Sequence, residues 1–304
     1  MGTPPFAVPS LAALASAAEV TLVLCNPDRP SGRGRELAPP PVKVEAARLG
    51  IPVFQPLKAR HPDAVARVAA EAPDLIVVVA YGHILPKAVL DIPRIMPVNV
   101  HASLLPKYRG AAPIHWAVAG GETVTGITVM RMDEGMDTGP MLHVREMPIG
   151  GDDTAESMYA KLSVLGAEAL LESLKMLRDG TLPETPQDGS LATYAPMLRK
   201  EHGRIDWSKG AREIRNLVRG MTPWPSAVAA HAGKSLKVIS AAVAADAGND
   251  GTPGEVVAVE RGGVSVACGS GVLRLLAVQP EGGKAMDAWA YAQGRRVGRG
   301  DRLS

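Results

Sequence analysis

At 304 residues, with 46% apolar and 21% charged side chains, the chain has the composition of a globular protein, which excludes a disordered or fibrous one. That length is near the ceiling of a single core, so two domains are expected, and no apolar run approaches the ~18 residues that span a membrane. The net charge of +2 conceals a division: residues 1–194 carry 17 Lys and Arg against 21 Asp and Glu, whereas residues 195–304 carry 16 against 10, so an acidic part precedes a basic one that suits a polyanionic partner.

In chain order, Ala-rich helical patterns near 7–18, 41–49 and 62–72 alternate with apolar runs at Val20 to Cys25, Asp74 to Ala80 and Met96 to His101. Continuous Val, Ile and Leu runs between helices predict a parallel sheet covered on both faces, hence an α/β, Rossmann-like doubly wound domain over residues 1–180. Gly126 to Arg131 and Met141 to Pro148 read as two further strands, and Thr154 to Arg178 as a long amphipathic helix that Asp152, Asp153 or Thr154 can cap. Residues 181–199, rich in Pro, Gly and Thr, interrupt the periodicity and read as a linker. A second domain is expected over 200–304. It opens with a helical pattern at Ala211 to Arg219 and continues as short β-rich segments at Ser235 to Ile239, Gly254 to Glu260, Gly263 to Cys268 and Val272 to Val278, a spacing that favours a small barrel.

Cys25 and Cys268 lie far apart without metal-ligand spacing and read as buried small hydrophobes in a reducing compartment, so no metal site is expected. The N-terminus shows no basic segment leading into an apolar signal core, and a cytoplasmic protein is expected. Gly2-Thr3-Pro4 does not open a dinucleotide fingerprint, because Pro4, Pro5 and Pro9 break the spacing.

The chemistry concentrates in Asn99-Val100-His101-Ala102-Ser103-Leu104-Leu105-Pro106 and in Asp137 of the turn from Met132 to Gly139. A strand period of two puts Asn99 and His101 on one face at the end of their strand, and ligands of open α/β sheets bind beyond the carboxyl ends of the strands. Asn supplies an uncharged NH2 for a developing oxyanion, His titrates nearest neutral pH, and Asp137 can orient the imidazole. Such a trio suits attack by an amine on a formyl or carbonyl carbon. A lone histidine at a strand end is more often structural; its pairing with Asn99 and the following loop shifts the reading toward catalysis. Asp133 shares the turn with Asp137 and competes for the third place.

Together with Gly2-Thr3-Pro4, Asn26 to Pro30, Ala80-Tyr81-Gly82, Lys107 to Ile114, Arg204 to Trp207 and Pro223-Trp224-Pro225, these motifs resemble the folate-dependent formyltransferases, in particular those whose acceptor is methionyl initiator tRNA. The blocks run from residue 2 to about residue 296. The resemblance implies 10-formyltetrahydrofolate as co-substrate, Asn99, His101 and Asp137 as the catalytic triad with Asp133 structural, Ser103, Leu104, Leu105 and Pro106 lining the folate site, and an OB-like barrel for the second domain. It implies that the basic loop Asp28 to Glu36 contacts the acceptor end of the tRNA, with Arg33 as anchor beside Arg29 and Arg35, in a monomer without a resident metal. Family members begin with an apolar strand before the Gly-Thr-Pro loop, and here Met1 directly precedes Gly2, so the expectation is a natural start upstream and, without that strand, a gap in the core. Trp207 and Trp224 are expected as core anchors. Two other readings carry weight at this stage: formylation of a small amine with the same triad, and an RNA-binding protein with a decayed site.

Overall fold

The computed structural model describes residues 1–31, 36–248 and 251–304. After a short 3-10 turn the elements are α1 (Val8–Ala17), β1 (Val23–Leu24), β2 (Arg29–Ser31), β3 (Glu36–Ala38), α2 (Pro41–Arg48), β4 (Val53–Phe54), α3 (Pro62–Ala69), β5 (Leu75–Val78), α4 (Lys87–Leu90), β6 (Met96–His101), β7 (Arg109–Gly110), α5 (Pro113–Ala119), β8 (Val124–Arg131), β9 (Met141–Pro148) and α6 (Ala155–Arg178). They continue as β10 (Tyr194–Ala195), α7 (Ala211–Gly220), β11 (Ala227–His231), β12 (Lys234–Ala245), β13 (Val256–Glu260), β14 (Gly263–Ala267), β15 (Val272–Pro280), β16 (Met286–Asp287) and α8 (Ala288–Arg295). Among the described residues no helix is long and apolar enough to cross a membrane. The chain divides into two compact units, Met1–Pro113 with Val124–Pro148 and Tyr159–Pro196, and Ile114–Thr123 with Ile149–Met158 and Met197–Ser304.

The first unit holds a four-stranded sheet in the order β5-β6-β8-β9. β5 and β6 are parallel, as the apolar runs predict; β8 and β9 return antiparallel, so the sheet is mixed. β6 is hydrogen-bonded on both sides and buried at every position but Asn99, which is half-buried. Beside this sheet β1 pairs in parallel with β4 over two residues only. The run from Val20 to Cys25 yields so short a strand because its other side lacks a full neighbour. Among the described residues, Met1 and Gly2 alone take a strand's place between β1 and β5: Gly2 N–H donates to Leu24 O at 3.0 Å, Val79 N–H to Met1 O at 2.9 Å, and the Met1 amino group to Val77 O at 2.6 Å. Upstream of that contact runs a cavity of about 800 Å³, walled by Thr21 to Leu24, Asp74 to Val77, Leu11 and Leu14 of α1, and Leu174 and Leu177 of α6. Residues 181–196, read as a linker, belong to this unit: β10 pairs in parallel with β7, and Thr185 exchanges two backbone hydrogen bonds with Met141.

The second unit is built on a sheet in the order β11-β12-β15-β14-β13, with β16 added to β15. Ile205, Trp207, Ile214 and Val218 pack its inner face with Val238, Val256, Val266, Leu273 and Leu275. The expected OB-like barrel is corrected to an open sheet, since edge strands β11 and β13 form no ladder with each other. Residues 300–304 occupy that gap instead, exchanging backbone hydrogen bonds with Ala230 and with Gly254 and Val256. Trp207 is a core anchor at 5% exposure, whereas Trp224 is 51% exposed and anchors no core. Cys25 and Cys268 are buried thiols, and burial raises both pKa values, that of Cys268 to about 11. The first turn of α6 is capped by Thr154, whose Oγ1 accepts from Ser157 N–H at 3.2 Å.

Candidate active site

β6 ends at His101 and the chain turns sharply, because Ser103 Oγ donates to Lys107 O at 2.7 Å and Leu105 N–H donates to Thr128 Oγ1 at 3.1 Å. The Thr128 hydroxyl in turn donates to Ser103 O at 2.7 Å, so a fully buried threonine on the neighbouring strand pins the loop. Its β-sheet partner is His101 itself. Ser103, expected to line a folate site, is completely buried with its hydroxyl committed to this turn, and Leu105 is buried too. Leu104 and Pro106 are the half-buried members of the loop.

Asp137 closes the site. Its backbone is left-handed, φ +55°, a conformation disfavoured by roughly 1–2 kcal/mol for a residue with a Cβ. The carboxylate so aimed accepts from Gly110 N–H at Oδ2, 2.8 Å, and from Asn99 Nδ2 at Oδ1, 3.3 Å, and it lies 3.5 Å from His101 Nδ1. Gly110 can only be glycine, since its φ is +119° and a Cβ there would meet Ala195 O at 2.8 Å. His101 Nε2 lies 3.0 Å from Tyr108 O. Carbonyl and carboxylate oxygens only accept, so the Tyr108 contact is a hydrogen bond with a proton on Nε2 and the Asp137 contact favours one on Nδ1. His101 is 6% exposed and Asp137 16%, so the contact lies largely out of water.

Asp133 stays within its own turn, accepting from Gly135 N–H at 3.0 Å and from the Thr138 hydroxyl at 2.7 Å. Of the two aspartates in this turn, it is Asp137 that reaches Asn99 and His101. Sequence reasoning missed Gln187, whose Nε2 donates to Asp137 O at 2.9 Å and Gly139 O at 2.7 Å, while its Oε1 accepts from Arg109 Nε and Nη2 at 3.1 and 2.7 Å. Arg109 is itself buried, at 6% exposure. No periodicity or motif marks Gln187, because it sits alone between Pro186 and Asp188 in an irregular segment.

At the same carboxyl edge of the first unit, Asn26 follows β1 and links to the loop after β5 through His83 Nε2 at 2.6 Å and Tyr81 O at 3.3 Å. Asp28 is held by Lys43 and Gln55, whose hydrogen bonds, that from Gln55 foremost, keep its carboxyl below the usual range. Arg29 starts the β2–β3 hairpin and is exposed; Arg33 and Arg35 lie outside the described residues. Two large apolar side chains stand open in these loops, Ile84 at 75% and Met136 at 53% exposure.

The formyl transferase family matches residues 6–174, and its C-terminal domain family matches residues 197–296. The chain is 52% identical over its whole length to a methionyl-tRNA formyltransferase of Geobacter metallireducens, of which it covers 97%, and 52% identical over 97% of its length to that of Sorangium cellulosum, of which it covers 96%. Its fold is similar to that of HypX from Aquifex aeolicus in complex with tetrahydrofolic acid, with a TM-score of 0.58 at 23% identity over 84% of this chain and 44% of that one.

Proposed function

The chain belongs to the formyl transferase family, and from that premise we propose that it moves the formyl group of 10-formyltetrahydrofolate onto the α-amino group of methionyl initiator tRNA. The observation that carries the choice of acceptor is the identity of about half over the full length, which includes the basic second part that a small amine substrate does not require. The residues present suit a folate: Ile84, Met136, Leu104 and Pro106 offer partly open apolar surface for a flat ring system beside the polar corner of Asn99, His101 and Asp137. When bound, the folate supplies an activated formyl carbon.

In this reading the unprotonated amine attacks that carbon, a new N–C bond forms, and the electrons of the carbonyl bond move to its oxygen. Asn99 has one N–H turned to Asp137 and a second left for that oxyanion. Expulsion of the folate nitrogen breaks the old N–C bond; the amine loses one proton and the leaving nitrogen gains one. With Nδ1–H turned to Asp137, His101 takes the amine proton on Nε2 once substrate replaces the Tyr108 carbonyl there, and hands it to the leaving nitrogen. The loop from Ser103 to Pro106 shapes the folate side. Arg29, Arg33 and Arg35 engage the acceptor end of the tRNA, and residues 200–304 serve as the tRNA-binding domain behind a catalytic domain of residues 1–180 and a connecting segment 181–199. The protein acts as a cytoplasmic monomer.

The test is transfer of radiolabelled formyl from 10-formyltetrahydrofolate to methionyl initiator tRNA, run beside glycinamide ribonucleotide and an amino-sugar nucleotide. Formyl on the tRNA alone is expected. Transfer only to a small amine overturns the acceptor, and salt-sensitive tRNA binding without any transfer favours an RNA-binding protein instead.

A further inference from the structure

The hydrogen bonds around Asp137 form a closed circuit. Gln187 donates to the backbone oxygen of Asp137; the Asp137 carboxylate accepts from Gly110 N–H; and Arg109, the residue before Gly110, donates twice to Gln187 Oε1. The amide orientation of Gln187 is fixed by its partners, because a flip would set its oxygen against two carbonyls and its NH2 against a guanidinium. All four hydrogen-bonding positions of that amide are filled, which a residue of an idle surface segment does not need. Its neighbours from Glu184 to Ser190 are exposed, and Gln187 alone among them is tucked in. The backbone on either side is anchored too, by Thr185 to Met141 and by Thr193 O, which accepts from Arg109 N–H at 2.8 Å.

We propose that Gln187 is a positioning residue for formyl transfer, a brace that locks the left-handed Asp137 turn to the Arg109-Gly110 strand so that one carboxylate spans Asn99, His101 and Gly110 at once. This rests on the functional reading above. Without the brace nothing else in the circuit ties the Asp137 backbone to β7, and the turn is free to leave its disfavoured conformation, taking with it the carboxylate that orients both groups of the site. Arg109 is part of the same device: its buried charge has an amide oxygen for partner, and that oxygen polarises the N–H groups aimed at the Asp137 and Gly139 carbonyls.

The experiment compares the full chain with Gln187→Glu, Gln187→Ala, Asp137→Asn and the double variant Gln187→Ala/Asp137→Asn. Gln187→Glu keeps an acceptor for Arg109, so the fold survives, yet faces the two carbonyls with a carboxylate. It is expected to lower kcat for formyl transfer roughly 10- to 100-fold with KM for tRNA and folate within about twofold, the size of effect seen when a supporting residue is lost or a group shifts by an ångström. If Gln187 acts through Asp137, Gln187→Ala causes no further loss in the Asp137→Asn background; losses that multiply overturn the proposal. Amide hydrogen exchange at Gly110, followed by NMR, reads the brace without reference to activity: it is expected to quicken about tenfold or more in Gln187→Glu, and unchanged protection there overturns the proposal. An unmodified chain that formylates nothing sinks the functional reading, while the Gly110 exchange still decides the brace.

Discussion

The first unit is saturated at one place and under-filled at another. At the carboxyl end of β6, Asp137, Gly110, Gln187, Arg109, Thr128 and Ser103 have their polar atoms bonded to one another, and the backbone accepts a left-handed aspartate to achieve it. Between β1 and β5 the same unit leaves a cavity of about 800 Å³ and a buried amine against Val77 O. The difference teaches that the geometry of the site is set by hydrogen bonds local to β6, β7, β8 and the 185–195 segment, none of which faces the cavity. Precision at the site and completeness of the core are therefore separable, and each can be altered without the other.

The largest expected effect falls on the saturated side. Asn99→Ala removes the donor proposed for the oxyanion and is expected to lower kcat about 100- to 1,000-fold with little change in KM or in the melting temperature. Steady-state formylation with a thermal melt alongside checks it. Unchanged turnover takes Asn99 out of the mechanism; a melt lowered in step with turnover breaks the separation of site from core.

The legible parts of the molecule were those with local signatures. The apolar runs of β5 and β6, the period that put Asn99 and His101 together, and the Thr154 cap of α6 all follow from short-range pattern. What pattern could not reach is long-range pairing. The antiparallel return of β8 and β9 depends on which edge of β6 is free, and the lack of direct pairing between β11 and β13 goes with residues 300–304 bonding to both of them. Gln187 is the clearest case: its segment has the composition of a linker, and its order comes from carbonyls 48 and 50 residues away. Trp224 differs from Trp207 for the same reason, since identity and flanking residues do not say which tryptophan meets a core.

The next effect falls on the cavity. Fusing six apolar, β-forming residues to Met1 continues the strand position that Met1 and Gly2 begin, with half of the new side chains on each face. Burial of three or four Val, Ile or Leu side chains and pairing with β1 and β5 oppose the entropy of ordering the added backbone, and a net gain is expected. For a chain of this size that raises the melting temperature by several degrees. kcat per folded molecule is expected to stay within about twofold. A melt that does not rise means the cavity closes in solution without a strand, and a large change in kcat means that site and cavity are coupled after all.

The smallest effect isolates the amine from the void around it. Burial pushes the Met1 amino group down to about 6 from its ordinary value of 8.0, partly opposed by Cys25. The unfolded chain then binds more protons than the folded one between pH 6 and 8, so stability rises with pH across that window. The penalty is fully present below about pH 6, absent above about pH 8, and amounts to roughly 2 to 3 kcal/mol. Denaturant unfolding of the unextended chain at pH 6 and pH 8 is expected to show this rise, and the same pair of measurements on the extended chain is expected to lose it, because a peptide nitrogen replaces the amine. Should both chains show the same rise, some other group titrates in that window. Should neither show it, the amino group reaches water in solution and the 2.6 Å contact with Val77 O does not persist.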